Sequence, residues 1–279
     1  MKPNMPGAAR KPAHSASAPA RASLFAGLLG SLALLPLVMI QGAATRRRVP
    51  RLPPARPPHH GLATGEGVPL RVIVVGESPV AGIGIERGDD TVAAATAREL
   101  ARLTGRPVAW RAAGLSGATV REAIAQLVPR IAGEPADLIV IAFGVNDTIG
   151  YRAPRAFAGD LTAIVEAVRT RVGPAPVVIA GVPSFASIPA FPWALRNILD
   201  WRAAALQTAA ERLPARIPRL VVQRFSEPFT PDTFSRDGFH PSVRAHDVWG
   251  KMLAALAFPL LDQGEKRNSR AVVVEGAMS

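Results

Sequence analysis

The stretch "LRVIVVGESPV", Leu70 to Val80, joins an apolar run to a glycine, a glutamate and a serine. Its β-branched core, bounded by a turn signal, is typical of a strand buried on both faces, as the strands of parallel sheets are. Four similar runs follow along the chain, namely "PVAWRAA", "DLIVIAF", "APVVIAGV" and "RLVVQRF". Helix-like stretches separate or follow them, at residues 91–103, 119–131, 154–172, 194–213 and 243–261. This alternation predicts a three-layer α/β/α sandwich with a five-stranded parallel sheet.

Composition divides the rest of the chain into regions that flank this domain, which we place at residues 69–262. Residues 1–21 are rich in proline, alanine and serine and predict a disordered basic arm. The uncharged apolar residues 22–44 match the ~20 residues that span a bilayer and predict a membrane anchor. Residues 45–68 are rich in proline and arginine and predict an extended linker. The polar residues 263–279 predict a flexible tail.

A cleaved signal peptide is the alternative to the anchor, and the domain would then be exported. Three arginines, Arg46 to Arg48, come almost directly after the apolar segment and favour the anchor, because they would hinder export. We therefore expect the protein to be membrane-associated. Four Lys and Arg residues precede the segment and five follow it closely, so the positive-inside rule does not orient it.

The formal net charge of +12 suggests a nucleic-acid partner, but most of the charge lies outside the predicted domain. Residues 1–71 hold ten Lys and Arg residues and one acid, whereas the remaining residues hold 23 basic and 20 acidic ones. The arm also lacks the interleaved aromatic residues of single-strand binders, so we expect no nucleic-acid partner.

Several kinds of site are excluded by residues or motifs that the sequence lacks. The chain has no cysteine, which rules out disulfides, thiol nucleophiles and thiolate metal sites. The predicted domain also has no P-loop, no dinucleotide-binding glycine motif and no metal-ligand spacing. We therefore expect neither a metal nor an organic cofactor.

Polar segments that contain glycine follow the predicted strands. Ser78 follows the first strand, Gly117 lies in "LSGAT" after the second, and Asn146 lies in "GVNDT" after the third. Asp237 and His240 lie in "DGFHPS", shortly after the fifth strand. Each of these segments alone is typical of a turn. Because the carboxyl ends of parallel strands meet at one edge of a sheet, we expect the five residues to lie near each other.

Only His240 and His246 among the five histidines lie in the predicted domain. His246 falls within the last predicted helix and is interpreted as a helix-surface or packing residue. His240 lies in a loop, with Asp237 three residues before it. A histidine that takes a proton from serine needs an acceptor on its other ring nitrogen, and Asp237 is within reach. The Asn146 amide is a neutral donor for a developing oxyanion, and Gly117 lets a backbone N–H approach the substrate.

The order of these motifs is more specific than any one of them. A serine after the first strand, a glycine after the second, Gly-x-Asn-Asp after the third and Asp-x-x-His before the last helix resemble the SGNH hydrolase superfamily, the GDSL esterases and lipases. The resemblance covers residues 71–259. It implies a flavodoxin-like SGNH hydrolase fold and a serine ester hydrolase that needs no cofactor.

The resemblance also implies a role for each residue. Ser78 would be the nucleophile, His240 the general base and Asp237 the residue that orients the histidine. The oxyanion hole would consist of the backbone N–H groups of Ser78 and Gly117 and the side-chain amide of Asn146.

One position departs from the family pattern. The block reads Gly76-Glu77-Ser78, with glutamate where the family usually has aspartate. The extra methylene keeps the acceptor oxygens but lengthens their reach, so the hydrogen bonds that shape the serine turn must differ. We expect Glu77→Asp to be tolerated and Ser78→Ala to abolish turnover.

The substrate is predicted only by class, as a small-molecule or lipid ester, with the lipid ester favoured by the predicted anchor. Phe185, Phe191 and Trp193 either form an apolar wall for the acyl group or are core residues, and the sequence favours neither reading. An O-acyltransferase and a non-catalytic membrane-tethered binding module of the same fold are the alternatives. The oligomeric state is left open by the sequence.

Overall fold

The structure is a computed structural model that describes residues 37, 40–225 and 229–276, and within them six strands form one sheet. The strands are β1 (His60–Ala63), β2 (Leu70–Gly76), β3 (Val108–Gly114), β4 (Leu138–Ala142), β5 (Val177–Ile179) and β6 (Leu220–Val222). Their order is β1-β3-β2-β4-β5-β6. Strands β2 to β6 are parallel, as predicted, and β1 pairs antiparallel with β3 at one edge.

The helices follow the predicted alternation closely. They are α1 (described residues 40–48), α2 (Val92–Thr104), α3 (Val120–Gln126), α4 (Val145–Ile149), α5 (Pro154–Val172), α6 (Trp193–Ala210) and α7 (Val243–Gly276). Helix α7 runs past Asp262, where the sequence predicted the start of a flexible tail. Its length was missed because Pro259 and the polar residues after Asp262 have the composition of a helix end.

Alternating residues of the strands point into two separate apolar layers. Ile73 and Ile141 are buried against helices α3, α5 and α6, whereas Val72, Val74 and Val140 are buried against α2 and α7. Burying one such side chain contributes roughly 1.5–3 kcal/mol, so both faces of the sheet require a helical cover. This confirms the predicted three-layer α/β/α sandwich.

The predicted linker, residues 45–68, is folded onto the domain. The Arg56 N–H donates to the Glu86 carbonyl at 2.9 Å, and the Gly88 N–H donates to the Arg56 carbonyl at 2.8 Å. A Cβ atom on residue 88 would lie only 1.6 Å from the Pro58 carbonyl oxygen, so this close approach requires glycine. Composition did not reveal this docking, because it depends on backbone groups of distant segments.

Most of the predicted N-terminal regions lie outside the described residues. The arm, residues 1–21, is wholly outside them, and the predicted anchor, residues 22–44, is described only at residues 37 and 40–44. Across the ranges that the structure describes, no helix has both the length and the apolar character needed to cross a membrane.

The strand order creates a crevice at the carboxyl ends of β2 and β4. The chain passes from β2 to β3 on one side of β2 and then returns to place β4 on the other side. In open α/β sheets, such a reversal of direction separates the following loops and leaves room for a ligand. Ser78 comes two residues after β2 and Asn146 comes four residues after β4, so both lie at this crevice.

Candidate active site

The turn that carries Ser78 is held by its own backbone. The Glu77 N–H donates to the Ala142 carbonyl at 3.1 Å, which continues the pairing of β2 with β4. The Glu77 carbonyl accepts from the N–H groups of Val80 at 3.0 Å and Ala81 at 3.1 Å. These bonds reverse the chain directly after the strand and leave Ser78 8% exposed at the crevice.

Asp237 and His240 form a hydrogen-bonded pair within one tight turn. Asp237 Oδ2 lies 2.6 Å from His240 Nδ1, and Asp237 Oδ1 accepts from the backbone N–H groups of Phe239 at 2.9 Å and His240 at 3.0 Å. Gly238, with φ of +66°, supplies the left-handed backbone that this turn needs. Because the carboxylate accepts, Nδ1 carries the proton and Nε2 remains available as a base.

The Asp237 side chain is fully buried, with none of its surface exposed. Burial by itself would raise the pKa of this carboxyl group. The hydrogen bond to His240 and the two backbone N–H donors outweigh burial and hold the pKa below its ordinary value. Asp237 therefore stays ionised and can stabilise a protonated His240.

Ser78 and His240 both line two adjoining cavities. Within the described part of the chain, no hydrogen bond joins the Ser78 hydroxyl to the His240 ring. In proteins without bound substrate, such contacts are often long and tighten only when the substrate is in place. The predicted nucleophile and base are thus brought to the same crevice.

Two backbone N–H groups at the crevice, those of Ser78 and Gly117, donate to no acceptor among the residues that the structure describes. Gly117 has φ of +80°, and the space where a Cβ would lie is open. Both residues line the same groove. An oxygen that gains negative charge in this groove has two unused donors near it.

Asn146 is engaged more fully than the sequence predicted. Its side-chain amide donates both to Glu77 Oε2 and to the Ala118 carbonyl, the latter at 3.2 Å. Both amide hydrogens therefore have partners in the free protein. Before the Asn146 amide can donate to a third acceptor, it has to release one of these two, and the Ala118 carbonyl has the longer contact.

Glu77 is the residue around which this side of the crevice is organised. Its Oε1 accepts from the Val145 N–H at 2.9 Å, and its Oε2 accepts from the Asn146 N–H at 3.0 Å as well as from the Asn146 side chain. Burial raises the pKa of Glu77, the backbone donors lower it and the nearby Asp147 carboxylate raises it; the net result is a pKa of about 8. The sequence showed that Glu77 is unusual but did not show that it holds the start of helix α4.

Two further buried polar residues support helices next to the crevice. Asp147 Oδ2 accepts from the Val120 N–H at 3.1 Å at the start of α3, and burial raises the pKa of Asp147 to about 6. His246 Nδ1 accepts from the Val92 N–H at 2.9 Å at the start of α2, and burial lowers the pKa of His246 to about 3. Of the two interpretations of His246, helix-surface or packing residue, its complete burial fits the second, whereas its bond to the start of α2 and the role of Asp147 were not predicted.

The two cavities have different walls. The first is the smaller, has a volume of about 100 Å³ and is lined largely by apolar side chains, among them Phe234 and Trp249. The second is an open groove of about 1180 Å³ that is lined by Gly117 and Asn146 together with most residues of the segment 42–52, although not by Arg48. Ser78 and His240 stand where the two cavities meet. A substrate bound at Ser78 can therefore extend in two chemically distinct directions.

The three aromatic residues singled out in the sequence have three different positions. Phe191 lines the open groove, and Phe185 is fully buried in the core. Trp193 is 60% exposed and lines neither cavity. The aromatic wall of the smaller cavity comes instead from the region around Phe234 and from Trp249 of α7. Among the described residues, no group of three or more His, Cys, Asp or Glu side chains could hold a metal ion.

Comparison with known proteins agrees with this geometry. Residues 74–248 match the family described as GDSL-like Lipase/Acylhydrolase. The chain is 29% identical over 260 residues to the GDSL-like esterase Rv1075c of Mycobacterium tuberculosis. The aligned region covers 85% of this chain and 80% of that protein. The crystal structure of TesA superposes with a TM-score of 0.56 at 23% identity, covering 68% of this chain and 99% of that one. Est24, a carbohydrate acetylesterase from Sinorhizobium meliloti, superposes with a TM-score of 0.51 at 18% identity over 68% and 99% of the two chains.

Proposed function

Because this chain belongs to the GDSL-like lipase/acylhydrolase family and is a carboxylic ester hydrolase, we propose that it cleaves its substrate through an acyl-enzyme on Ser78. The observation that carries the proposal is the buried Asp237, 2.6 Å from His240 Nδ1, with His240 and Ser78 at the same crevice. This arrangement has a nucleophile, a base and a group that orients the base.

In the first half of the reaction, Ser78 Oγ bonds to the ester carbonyl carbon and its proton passes to His240 Nε2. The carbonyl oxygen becomes an oxyanion, for which the unused N–H groups of Ser78 and Gly117 are available donors in the groove. The Asn146 amide becomes a third donor when it releases the Ala118 carbonyl. The C–O bond to the alcohol then breaks, and the alcohol leaves with the proton from Nε2.

In the second half, water attacks the acyl-enzyme. His240 Nε2 takes a proton from the water, and the acid leaves as Ser78 regains its proton. Asp237 stabilises the imidazolium in both halves, which its lowered pKa makes possible. An O-acyltransferase would use the same intermediate with an alcohol in place of water. The open groove beside Ser78 favours hydrolysis, because it gives water direct access.

A fluorophosphonate probe tests the nucleophile on the full-length protein. Wild type should be labelled and should hydrolyse p-nitrophenyl esters, and Ser78→Ala should do neither. Ser184→Ala is the matched control. The Ser184 hydroxyl donates a hydrogen bond to Asp200 Oδ1 at 2.6 Å, and Ser184 lines neither cavity. Equal labelling of wild type and Ser78→Ala would show that another residue is the nucleophile.

Membrane attachment through residues 22–44 is part of the same proposal and is supported by their uncharged apolar sequence. The full-length protein should remain in the membrane fraction after extraction with alkaline carbonate. Release into the soluble fraction would contradict an anchor and favour the cleaved signal peptide.

A further inference from the structure

The two cavities that meet at Ser78 differ in size, and this difference assigns the two halves of an ester to them. Water must reach the acyl-enzyme from the side that the departing alcohol has left. The groove has a volume of about 1180 Å³, whereas the cavity on the other side of Ser78 has a volume of only about 100 Å³. The acyl group therefore fits the smaller cavity as a short chain, and the alcohol part fits the groove.

The walls of the groove carry positive charge. Arg46, Arg47 and Arg51 line it, and no Asp or Glu side chain does so among the described residues. The described residues also form no ion pair with these three arginines, whereas Arg71 elsewhere is paired with Asp137 at 3.0 Å. Three unpaired guanidinium groups within one groove produce a local positive potential next to the nucleophile.

The segment that carries these arginines is attached to the domain at both ends. Gln41 Oε1 accepts from the Leu195 N–H at 3.0 Å, at the start of helix α6. Leu52 is buried, with 9% of its surface exposed, and the Gly84 N–H donates to the Pro53 carbonyl at 3.1 Å. The arginines between these two attachments are therefore held over the groove.

We propose that the groove binds an anionic group, a phosphate or a carboxylate, on the alcohol part of the ester, through Arg46, Arg47 and Arg51. The inference rests on the proposed function and narrows its substrate to short-chain esters of anionic alcohols. The guanidinium group suits this ligand because its planar set of donors matches the paired oxygens of a carboxylate or phosphate.

A matched pair of chromogenic esters tests the proposal on the full-length protein in nonionic detergent. One is 2-nitrophenyl butyrate, and the other is the same ester with a ring carboxylate para to the nitro group. The measured quantity is the ratio of kcat/KM for the charged ester to kcat/KM for the neutral ester, in wild type and in a triple variant with Arg46→Gln, Arg47→Gln and Arg51→Gln. Exposed charge pairs contribute modestly, so the ratio should fall about fivefold to tenfold in the triple variant.

Arg48→Gln is the matched control. Arg48 lies in the same segment and is exposed, but it does not line the groove. Its ratio should stay within about twofold of the wild-type ratio, because a charge outside the groove contributes only a weak, screened interaction. An unchanged ratio in the triple variant, or an equal fall in Arg48→Gln, would overturn the proposal.

A binding measurement separates this inference from the proposed chemistry. The released product, 3-hydroxy-4-nitrobenzoate, should bind to the Ser78→Ala variant by calorimetry and should bind more weakly when the three arginines are also replaced. Binding that depends on the arginines would support the anion site whether or not wild type hydrolyses the esters. Failure of wild type to hydrolyse either ester would refute only the proposed chemistry. Hydrolysis of both esters without arginine-dependent binding would refute only the anion site.

Two sources could supply such an anionic ester, a soluble metabolite or a lipid headgroup. Butyryl glycerol phosphate in solution and a short-chain phosphatidylglycerol in vesicles carry the same phosphate chemistry. Preference of wild type for the first indicates a soluble substrate, and preference for the second indicates a lipid. A lower kcat/KM for the preferred substrate in the triple variant is expected in either case, and an unchanged kcat/KM would contradict the role of the arginines.

Discussion

Glu77 and Asp237 are both buried carboxylic acids at the same crevice, yet their surroundings move their pKa values in opposite directions. The pKa of Asp237 is held low by the His240 ring and two backbone N–H groups, whereas burial raises the pKa of Glu77 to about 8. Glu77 receives only neutral N–H donors and lies near the Asp147 carboxylate. Three neutral donors therefore do not offset burial here, but a partner that can become cationic does.

The comparison also separates two roles. In the proposed mechanism, Asp237 contacts the base His240 and acts during the reaction, so its charge is required at each step. Glu77 contacts no reacting group and positions Asn146 and the first turn of α4 through hydrogen bonds that exist before substrate binds. Replacing each carboxyl group by the amide of the same shape should therefore have unequal effects.

The largest effect is expected from Asp237→Asn. The substituted amide would donate to His240 Nδ1 and leave the proton on Nε2, so His240 could no longer accept the Ser78 proton. We expect kcat to fall by about 10³- to 10⁴-fold with little change in KM, as in other serine triads that lose the aspartate. Steady-state kinetics with a butyrate ester measure this, and a fall of less than tenfold would show that Asp237 does not orient the base.

Asn146→Ala tests the group that Glu77 positions. Removing one oxyanion donor typically lowers kcat by about 10²- to 10³-fold. The same loss of kcat is expected here if the amide moves from the Ala118 carbonyl to the oxyanion. Asn146→Asp is the companion variant, because it keeps the shape but replaces the donor with an acceptor. Retention of wild-type kcat in both variants would leave Ser78 and Gly117 as the whole oxyanion hole.

Glu77→Gln should change the pH dependence of stability more than it changes activity. The pKa of Glu77 in the folded protein, about 8, lies above its ordinary value of 4.5, so the folded state keeps this proton after the unfolded chain has lost it. The contribution of Glu77 to the free energy of unfolding is therefore greatest below pH 4.5 and decreases as pH rises toward 8. Asp237, whose pKa is lowered, has the opposite slope and loses its contribution in acid.

Urea unfolding at about pH 5 and about pH 8, near the two ends of this interval, measures this difference. The stability of Glu77→Gln relative to wild type should improve as pH rises, because glutamine does not ionise. At both pH values the variant also lacks one acceptor for the N–H groups of Val145 and Asn146, which costs about 1–3 kcal/mol. A pH-independent difference between the two proteins would mean that Glu77 is ionised in the fold at both pH values.

Glu77→Asp should have the smallest effect, a fall of a few-fold in kcat/KM. The shorter side chain keeps both acceptor oxygens but must shift toward the start of α4 to reach the same donors. Ser78→Ala, measured beside it, should abolish turnover. Comparable losses in the two variants would show that Glu77 takes part in the reaction itself.

The predicted part of the site is the part built from local contacts. Asp237 and His240 are three residues apart, and a tight turn through Gly238 is enough to join them. Ser78 and Gly117 both line the groove, as residues that follow neighbouring parallel strands are expected to, because such strands end at a common edge. The bonds of Glu77 with Val145 and Asn146 were not predictable, since they join residues 68 and 69 positions apart.

What the sequence by itself determined is the three-layer architecture and the identity of the groups at the strand ends. Strand and helix periodicities are local, and the strand residues must bury both faces whatever the rest of the chain does. Only the tertiary structure decided that residues 60–63 add an antiparallel edge strand and that the arginine-bearing residues 42–52 cover the groove. Those placements depend on unpaired backbone groups and on surfaces that exist only after the sheet and its helices have assembled.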